Sequence, residues 1–322
     1  MPAQTDISLI ADPFAADVAA GLAKQPQKEL PSKYLYDRIG SRLFDVITAL
    51  PEYGLTRAEE RILTGYAREL VARLPSSVVV AELGSGSGHK TRWILEALGR
   101  RRPTAYYPIE ISRTALQMCE NELADIDSIT VVGLEREYLD GLLEVAARRK
   151  PGQTLAVLFL GSTLGNLEGP ASTAFLAEIR RMLAPGDALV LGTDLLKPVP
   201  QLLAAYDDQL GVTAAFNLNL LLRINRELGG DFVLKQFEHA PRFNERTHSI
   251  EMHIRSRRDQ GVRIAKAGIE VGFREGETIW TESSHKFSVE EVAEMAAASG
   301  FRCEANWVDE EWLFAENLLI AE

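Results

Sequence analysis

From Arg57 to Leu74 the apolar residues Ile62, Leu63, Tyr66, Leu70, Val71 and Leu74 recur at helical spacing and predict an amphipathic helix. Val78 to Leu83 follows as a short, β-branched run that ends in glycines, the pattern of a buried parallel strand feeding a turn. The alternation then repeats. Strands are predicted near Ala105–Ile111, Ile129–Leu134, Leu155–Leu160 and Ala188–Gly192, and helices through Leu116–Leu123, Leu139–Arg149 and Ser172–Leu183. Strands alternating with helices require crossover connections, hence a parallel sheet covered on both faces and an α/β fold.

Beyond Asp194 the rhythm changes. Leu195 to Leu228 reads as helical, and Ile250, Met252 and Ile254, like Ile269, Val271 and Phe273, alternate with polar neighbours. Period-two alternation predicts half-exposed antiparallel strands. The section therefore reads as a smaller α+β subdomain inserted into the first. Ser288 and Glu291 have the form of a capping box opening a helix to Ser299. Two closing strands are predicted near Arg302–Val308 and Leu313–Ala321. The expected division is 57–195 with 287–322 as one domain, and 8–56 with 196–286 as the other.

Composition narrows the function. The chain has 322 residues, 46% of them hydrophobic, enough for one large domain or two modest ones. Its net charge of -11 repels phosphate backbones, so no nucleic-acid partner is expected. No run reaches the roughly 18 apolar residues of a membrane helix, and Met1–Pro13 has no basic stretch ahead of an apolar one, so a cytoplasmic protein is expected. Cys119 and Cys303 are far apart and read as reduced structural thiols. Of the five histidines, His89, His239, His248, His253 and His285, none pairs at H-x-x-x-H spacing, and no metal site is expected. Tyr34, Tyr66 and Tyr107 read as structural. The acids Asp207-Asp208 and Asp309-Glu310-Glu311 read as solvated faces.

Glu82-Leu83-Gly84-Ser85-Gly86-Ser87-Gly88 carries the first chemical signal. Glycines directly after a buried strand permit positive φ and let a ligand lie against bare backbone at the sheet edge where open α/β folds bind. The spacing G-x-G-x-G misplaces the third glycine for a nicotinamide dinucleotide fold, which wants G-x-G-x-x-G. Glu110, ending the second strand, stands where an acid takes ribose hydroxyls, and Glu137 with Tyr138 suits an adenine pocket. A tight strand-to-helix turn without a ligand is the plain alternative.

Glu82 ahead of the glycines gives E-x-G-x-G-x-G, which is similar to the turn of class I methyltransferases, as is the terminal hairpin. That likeness implies S-adenosylmethionine as cofactor, with Glu82 towards its methionyl side and Gly84, Ser85, Gly86 and Lys90 around it. Further motifs sharpen it: Phe159-Leu160-Gly161-Ser162-Thr163-Leu164-Gly165-Asn166, Tyr34-Leu35-Tyr36-Asp37, Leu50-Pro51-Glu52-Tyr53, Gly192-Thr193-Asp194-Leu195, Ala205-Tyr206-Asp207-Asp208 and Thr281-Glu282-Ser283-Ser284. Together they resemble the histidine-specific methyltransferases of ergothioneine biosynthesis, from about Glu29 to the C-terminus. The resemblance implies transfer of three methyl groups to the α-amino group of L-histidine, giving Nα-trimethylhistidine (hercynine). It implies that Tyr53, Asn166 and Tyr206 hold the amino acid's α-amino and carboxylate groups, and that Tyr36 lies near the amine. Gly161 would stand beside the transfer site. Glu282 and Ser284 would hydrogen-bond the imidazole, in a pocket lined by Met252 and Phe216. Departures are Gly88-His89-Lys90 for the usual Thr/Ser-Glu-Lys, Glu110 for aspartate, and Ser283 for an aliphatic residue.

The ring-recognition role has its own physical basis. Thr278, Trp280, Glu282 and Ser284 share one face of a period-two strand. A carboxylate and a hydroxyl on one face can bond both imidazole nitrogens. Tyr36 and Tyr53 would favour a growing quaternary ammonium by π-face attraction, and water or a tyrosine would take the amine proton. The alternatives are another amino acid or small amine such as tryptophan, a nicotinamide-dependent oxidoreductase, and a non-catalytic binding module. A monomer is expected.

Overall fold

The computed structural model describes residues 12–167 and 169–322, so residues 8–11 of the expected second domain lie outside the described residues. In chain order the first elements are α1 (Pro13–Ala23), β1 (Lys28–Glu29), a 3-10 turn Ser32–Leu35 and α2 (Arg38–Ala49). The alternating section follows: α3 (Leu55–Arg73), β2 (Val78–Leu83), α4 (Arg92–Gly99), β3 (Thr104–Glu110), α5 (Arg113–Glu122), β4 (Ile129–Val131), β5 (Leu134–Glu135), α6 (Tyr138–Arg148), β6 (Thr154–Phe159), α7 (Pro170–Met182) and β7 (Ala188–Asp194). Next come α8 (Val199–Tyr206), α9 (Val212–Leu228), β8 (Phe237–Asn244), β9 (Ser249–Ser256), β10 (Gln260–Ile264), β11 (Ile269–Phe273) and β12 (Thr278–His285). The chain closes with α10 (Val289–Ala298), β13 (Phe301–Asp309) and β14 (Phe314–Ala321).

Two compact units result. The larger comprises Gly54–Lys197 and His285–Glu322, and the smaller comprises the described residues up to Tyr53 with Pro198–Ser284.

The larger unit is built on one sheet in the order β13-β14-β7-β6-β2-β3-β4, with β5 also paired to β3. Neighbours from β4 to β7 are parallel, while β14 runs antiparallel to both β7 and β13. This is the class I methyltransferase sheet with its terminal hairpin. Strands β2 and β7 are buried along their whole length, as strands covered on both faces must be. One apolar core joins Val79, Leu83, Ile109, Leu142, Val157, Phe159, Leu176, Leu191 and Phe301. The capping box forms as expected: the Ser288 hydroxyl accepts from the Glu291 amide, and the Glu291 carboxylate accepts from the Ser288 amide.

Some expectations need correction. The strand expected over Ile129–Leu134 is broken at Val132-Gly133 into β4 and β5, although the register against β3 continues across the gap. Tyr66, expected on the buried stripe of α3, is 45% exposed at the rim of that helix, its ring 6.4 Å from that of Trp307. Asp309 does not simply face solvent, for it takes a two-pronged bond from Arg61 at 2.7 and 2.8 Å and the Trp312 amide at 2.8 Å.

The smaller unit has a sheet in the order β1-β12-β9-β8 and a separate pair β10-β11. Helices α8 and α9 pack on β8 and β9, and α2 packs along α9. Asp208, expected on a solvated face, is buried and accepts from the amides of Val212 and Thr213 at 2.9 and 2.7 Å. The first amides of a helix have no partner within it, and Asp208 supplies one to α9. Tyr34 is structural as expected, donating to Asp17 at 2.7 Å. The elements before Leu55 and β8 were not among the expected ones. Among the described residues no helix is long and apolar enough to cross a membrane.

Candidate active site

In the larger unit the glycine turn leaves β2 with Gly84, Gly86 and Gly88 all at positive φ, 73°, 53° and 75°. Two of them are also forced by space. A Cβ on Gly88 would lie 2.6 Å from Cys119 Sγ, and one on Gly84 would lie 3.0 Å from Tyr138 Oη. Gly86 has open space in the same direction, with nothing within 4 Å. A turn with closed flanks and a bare centre suits a ligand that lies on backbone. Ser85 Oγ, in the same turn, is buried without a hydrogen-bond partner. Such an atom costs free energy until a partner arrives, so the turn fits a polar cofactor.

The three acids around the turn are placed differently. Glu82 is buried under it, and its carboxylate accepts from Thr91 Oγ1 at 2.7 and 2.8 Å and from Tyr106 Oη. Burial pushes Glu82 up to about 7 against the pull of those bonds and of Lys90. Glu110, at the end of β3, accepts from the Ser112 amide at 3.1 Å. Burial raises it too, while the amides of Ser112, Gly86 and Ile111 oppose the rise. Glu137 is exposed at the start of α6 and makes no side-chain cap there. Its neighbour Tyr138 packs edge-on against Phe159, ring centroids 5.7 Å apart, with Phe175 at 6.3 Å. His89, a departure from the family pattern, is exposed and sits 3.1 Å from Glu122 and 3.7 Å from Glu60. Cys119 and Cys303 are free thiols.

Gly161 and Asn166 stand past the end of β6 in the same unit. Gly161 has φ 73°, and its amide donates to Glu59. Ser162 also has positive φ, 58°, a strained state for a residue with a Cβ. It is held by its own hydroxyl, which accepts from the Asp194 amide at 2.9 Å. Asn166 ends the 3-10 turn Thr163–Asn166 and does not cap α7, whose N-cap is Gly169. Sequence reasoning missed Glu59, Ser162 and Glu316. The signal was present for the two acids, since each interrupts an otherwise apolar stripe or strand.

In the smaller unit the remaining predicted residues converge. Tyr36 Oη lies 3.4 Å from Glu282 Oε1, and its ring is 5.4 Å from that of Phe216. Tyr53 and Tyr206 are 6.3 Å apart edge-to-face, and Tyr206 Oη donates to Ser284 Oγ at 2.8 Å. Phe44, not singled out beforehand, joins the set, with ring centroids 5.5 Å from Tyr36, 6.0 Å from Phe216 and 6.3 Å from Tyr53. Met252 is fully buried in β9, and its carbonyl accepts from Thr281 Oγ1 at 3.0 Å. The alternation in β12 holds through Ile279, Thr281 and Ser283, which are buried, while Thr278, Trp280 and Glu282 are half-buried on the other face. Behind the aromatic cluster, Asp37 caps α2 and accepts from Asn219 at 2.8 Å and Arg226 at 2.6 Å, which fixes the backbone next to Tyr36. His239 bonds the Tyr206 carbonyl at 2.7 Å and Asn217 at 2.9 Å. Among the described residues no group of three or more His, Cys, Asp or Glu is placed to hold a metal ion.

The family model for histidine-specific, S-adenosylmethionine-dependent methyltransferases matches residues 14–321. The chain is 41% identical to a histidine N-alpha-methyltransferase of Mycolicibacterium smegmatis, over 96% of this chain and 95% of that one. It is 40% identical to a protein of the same name from Mycobacterium tuberculosis, over 94% and 93% of the two chains. A 4-dimethylallyltryptophan N-methyltransferase of Epichloe festucae var. lolii is 29% identical over 91% of this chain and 90% of its own.

Proposed function

Because the chain belongs to the histidine-specific, S-adenosylmethionine-dependent methyltransferase family, and so is an S-adenosylmethionine-dependent N-methyltransferase, we propose that its substrate is L-histidine. The product would be Nα-trimethylhistidine, formed by three transfers to the α-amino group, as a step of ergothioneine biosynthesis. The supporting observation is the end of β12. There the Glu282 carboxylate and the Ser284 hydroxyl come from one strand and are held by different tyrosines, Tyr36 and Tyr206. An imidazole has two nitrogens, of which one donates and one accepts when neutral. Glu282 accepts from one, and Ser284 bonds the other. An apolar side chain would displace water from both protein groups and offer neither a hydrogen bond in return, which is how the site rejects leucine or phenylalanine.

Bound S-adenosylmethionine supplies an electrophilic methyl group on a sulfonium. The turn Gly84–Gly88 with Ser85 and Lys90 is assigned to its methionyl part, Glu110 to its ribose and Glu137 with Tyr138 to its adenine. In the smaller unit, Tyr53 and Tyr206 are assigned to the amino acid's polar end and Phe216 and Met252 to the ring pocket. In the larger unit, Asn166 and Gly161 are assigned to the neighbourhood of the transferred methyl. The faces of Tyr36 and Tyr53 attract a growing ammonium, worth about 0.5–2 kcal/mol. Catalysis by such residues is positioning, since an oriented amine gains a large effective molarity.

A second reading, an indole amino acid as substrate, is favoured by the Epichloe relative. The Ser284 hydroxyl opposes it, because an indole has one N–H, which Glu282 would take, and no second ring nitrogen for Ser284. Incubation with S-adenosylmethionine and each amino acid in turn, followed by mass spectrometry, separates the two. Three methyl increments on histidine alone are expected. Methylation of tryptophan or its prenylated form instead, or none on histidine, overturns the proposal.

A further inference from the structure

Two acids in the larger unit have no place in the chemistry described so far. Glu59 lies on the apolar stripe of α3, with Leu55, Ala58, Ile62 and Leu63, and is fully buried. One of its carboxylate oxygens pairs with Lys90 Nζ and the other accepts from the Gly161 amide. Glu316 lies in β14 between Ala315 and Asn317 and is also fully buried. Neither of its carboxylate oxygens meets a donor.

Bare backbone brings the two acids together. Glu316 pairs in register with Gly192 of β7. A Cβ on Gly192 would lie 2.8 Å from Glu59 Oε1 and 3.2 Å from Glu316 Oε1. Both carboxyl groups therefore fill the space that a side chain at position 192 would take. An ionised carboxylate buried without donors beside a second acid is untenable, and such a group neutralises instead. Burial and the facing Glu59 push Glu316 well above the usual carboxylate range, with Glu82 adding to the rise and Lys90 opposing it. Protonated, Glu316 has one O–H to donate, and the acceptor it faces is Glu59.

We infer that Glu59 and Glu316 act as a carboxyl pair that positions Lys90 and the Gly161 amide for the bound cofactor. Glu316 donates to Glu59. Glu59 then fixes the lysine on the glycine turn and the backbone after β6 at one spacing. Neither acid touches a reacting atom, so both are positioning residues. The inference rests on the assignment of Lys90 and Gly161 to the cofactor's side of the site.

Calorimetry with S-adenosylhomocysteine on the full chain tests it, with circular dichroism reporting folding. Glu59→Gln is expected to weaken binding about tenfold, the loss of a hydrogen-bonded charge partner. Its KM for S-adenosylmethionine should rise by a like factor while KM for the amino acid holds. Glu316→Leu is expected to weaken binding comparably, and Glu316→Gln, whose amide donates as the protonated carboxyl does, to recover most of it. Glu316 is faced by Glu59 from α3, Lys90 from the turn and Glu82 from β2. Its ionisation would break the pair, so as pH rises the wild type should lose more affinity than Glu316→Gln. Lys90→Met separates the two layers of argument. If it weakens binding while Glu59→Gln does not, the carboxyl pair is refuted alone. If Lys90→Met leaves binding intact, the assignment of the turn fails with it. Should Glu59→Gln not fold, equal affinity of the Leu and Gln variants at 316 refutes the pair.

Discussion

Glu82 and Glu282 are both acids on β-strands, with opposite surroundings. Glu282 is half-buried on its strand face and reached by Tyr36. Its truncation, Glu282→Ala, is expected to cost histidine affinity about tenfold or more by removing a charged hydrogen-bond partner, with S-adenosylhomocysteine affinity retained. Calorimetry checks this, and unchanged histidine binding would remove the ring-recognition role. Glu82 is sealed under the turn by Thr91 and Tyr106. Its folded pKa, raised to about 7, exceeds the unfolded value near 4.5. The folded state therefore binds the proton more tightly, and stability is lost as pH rises from about 4.5 through 7. Glu82→Gln has no such proton to lose. Urea unfolding of the cofactor-free protein should show the variant gaining on the wild type between pH 5 and pH 8, and a constant difference would refute the raised value.

At the scale of elements, regular patterns were legible and local chemistry decided the exceptions. Ser288 with Glu291 announced α10 from two residues, and both reciprocal bonds are present. Ser288→Ala is expected to cost about 1 kcal/mol in urea unfolding, the usual value of such a cap. Asp208 lay in a run of charge that resembled a solvated face, yet it caps α9. Charge alone does not distinguish the two; the distance to the first helical amides does, and that depends on the turn at Gly211 (φ 72°). The strand after α5 was visible by composition, but its break at Gly133 was not, because the register against β3 hides it. The elements before Leu55 were not expected from the sequence. Ile39, Leu43, Phe44, Ile47 and Leu50 do recur at helical spacing through α2, but their partners, such as Phe216 against Phe44, come from distant segments.

For the molecule as a whole, the alternation of strands and helices implied the parallel sheet, and the closing hairpin with the E-x-G-x-G-x-G turn resembled the class I methyltransferases. The cofactor turn was legible because glycine spacing is a local signal. The acids Glu59 and Glu316 were not, although one stands on the apolar stripe of a helix and the other in a mostly apolar strand. A buried acid is seen from sequence only as an irregularity, and its partner lies 257 positions away by the numbering, 316 less 59. The net charge of -11 has its counterpart indoors, where Asp194 is buried with Lys197 and Lys286.

The place of β14, between β7 and β13, bears on how the chain is made. On the ribosome, β7 emerges with its outer edge bare, and it stays so while more than a hundred further residues are added, Leu195 to Leu313. The strand that covers it is made only after those residues. Until then Leu191 lacks the side-chain amide of Asn317, and an apolar edge stands open to any neighbouring nascent chain. Exposure to mispairing therefore lasts until β14 is made and takes its place between β7 and β13.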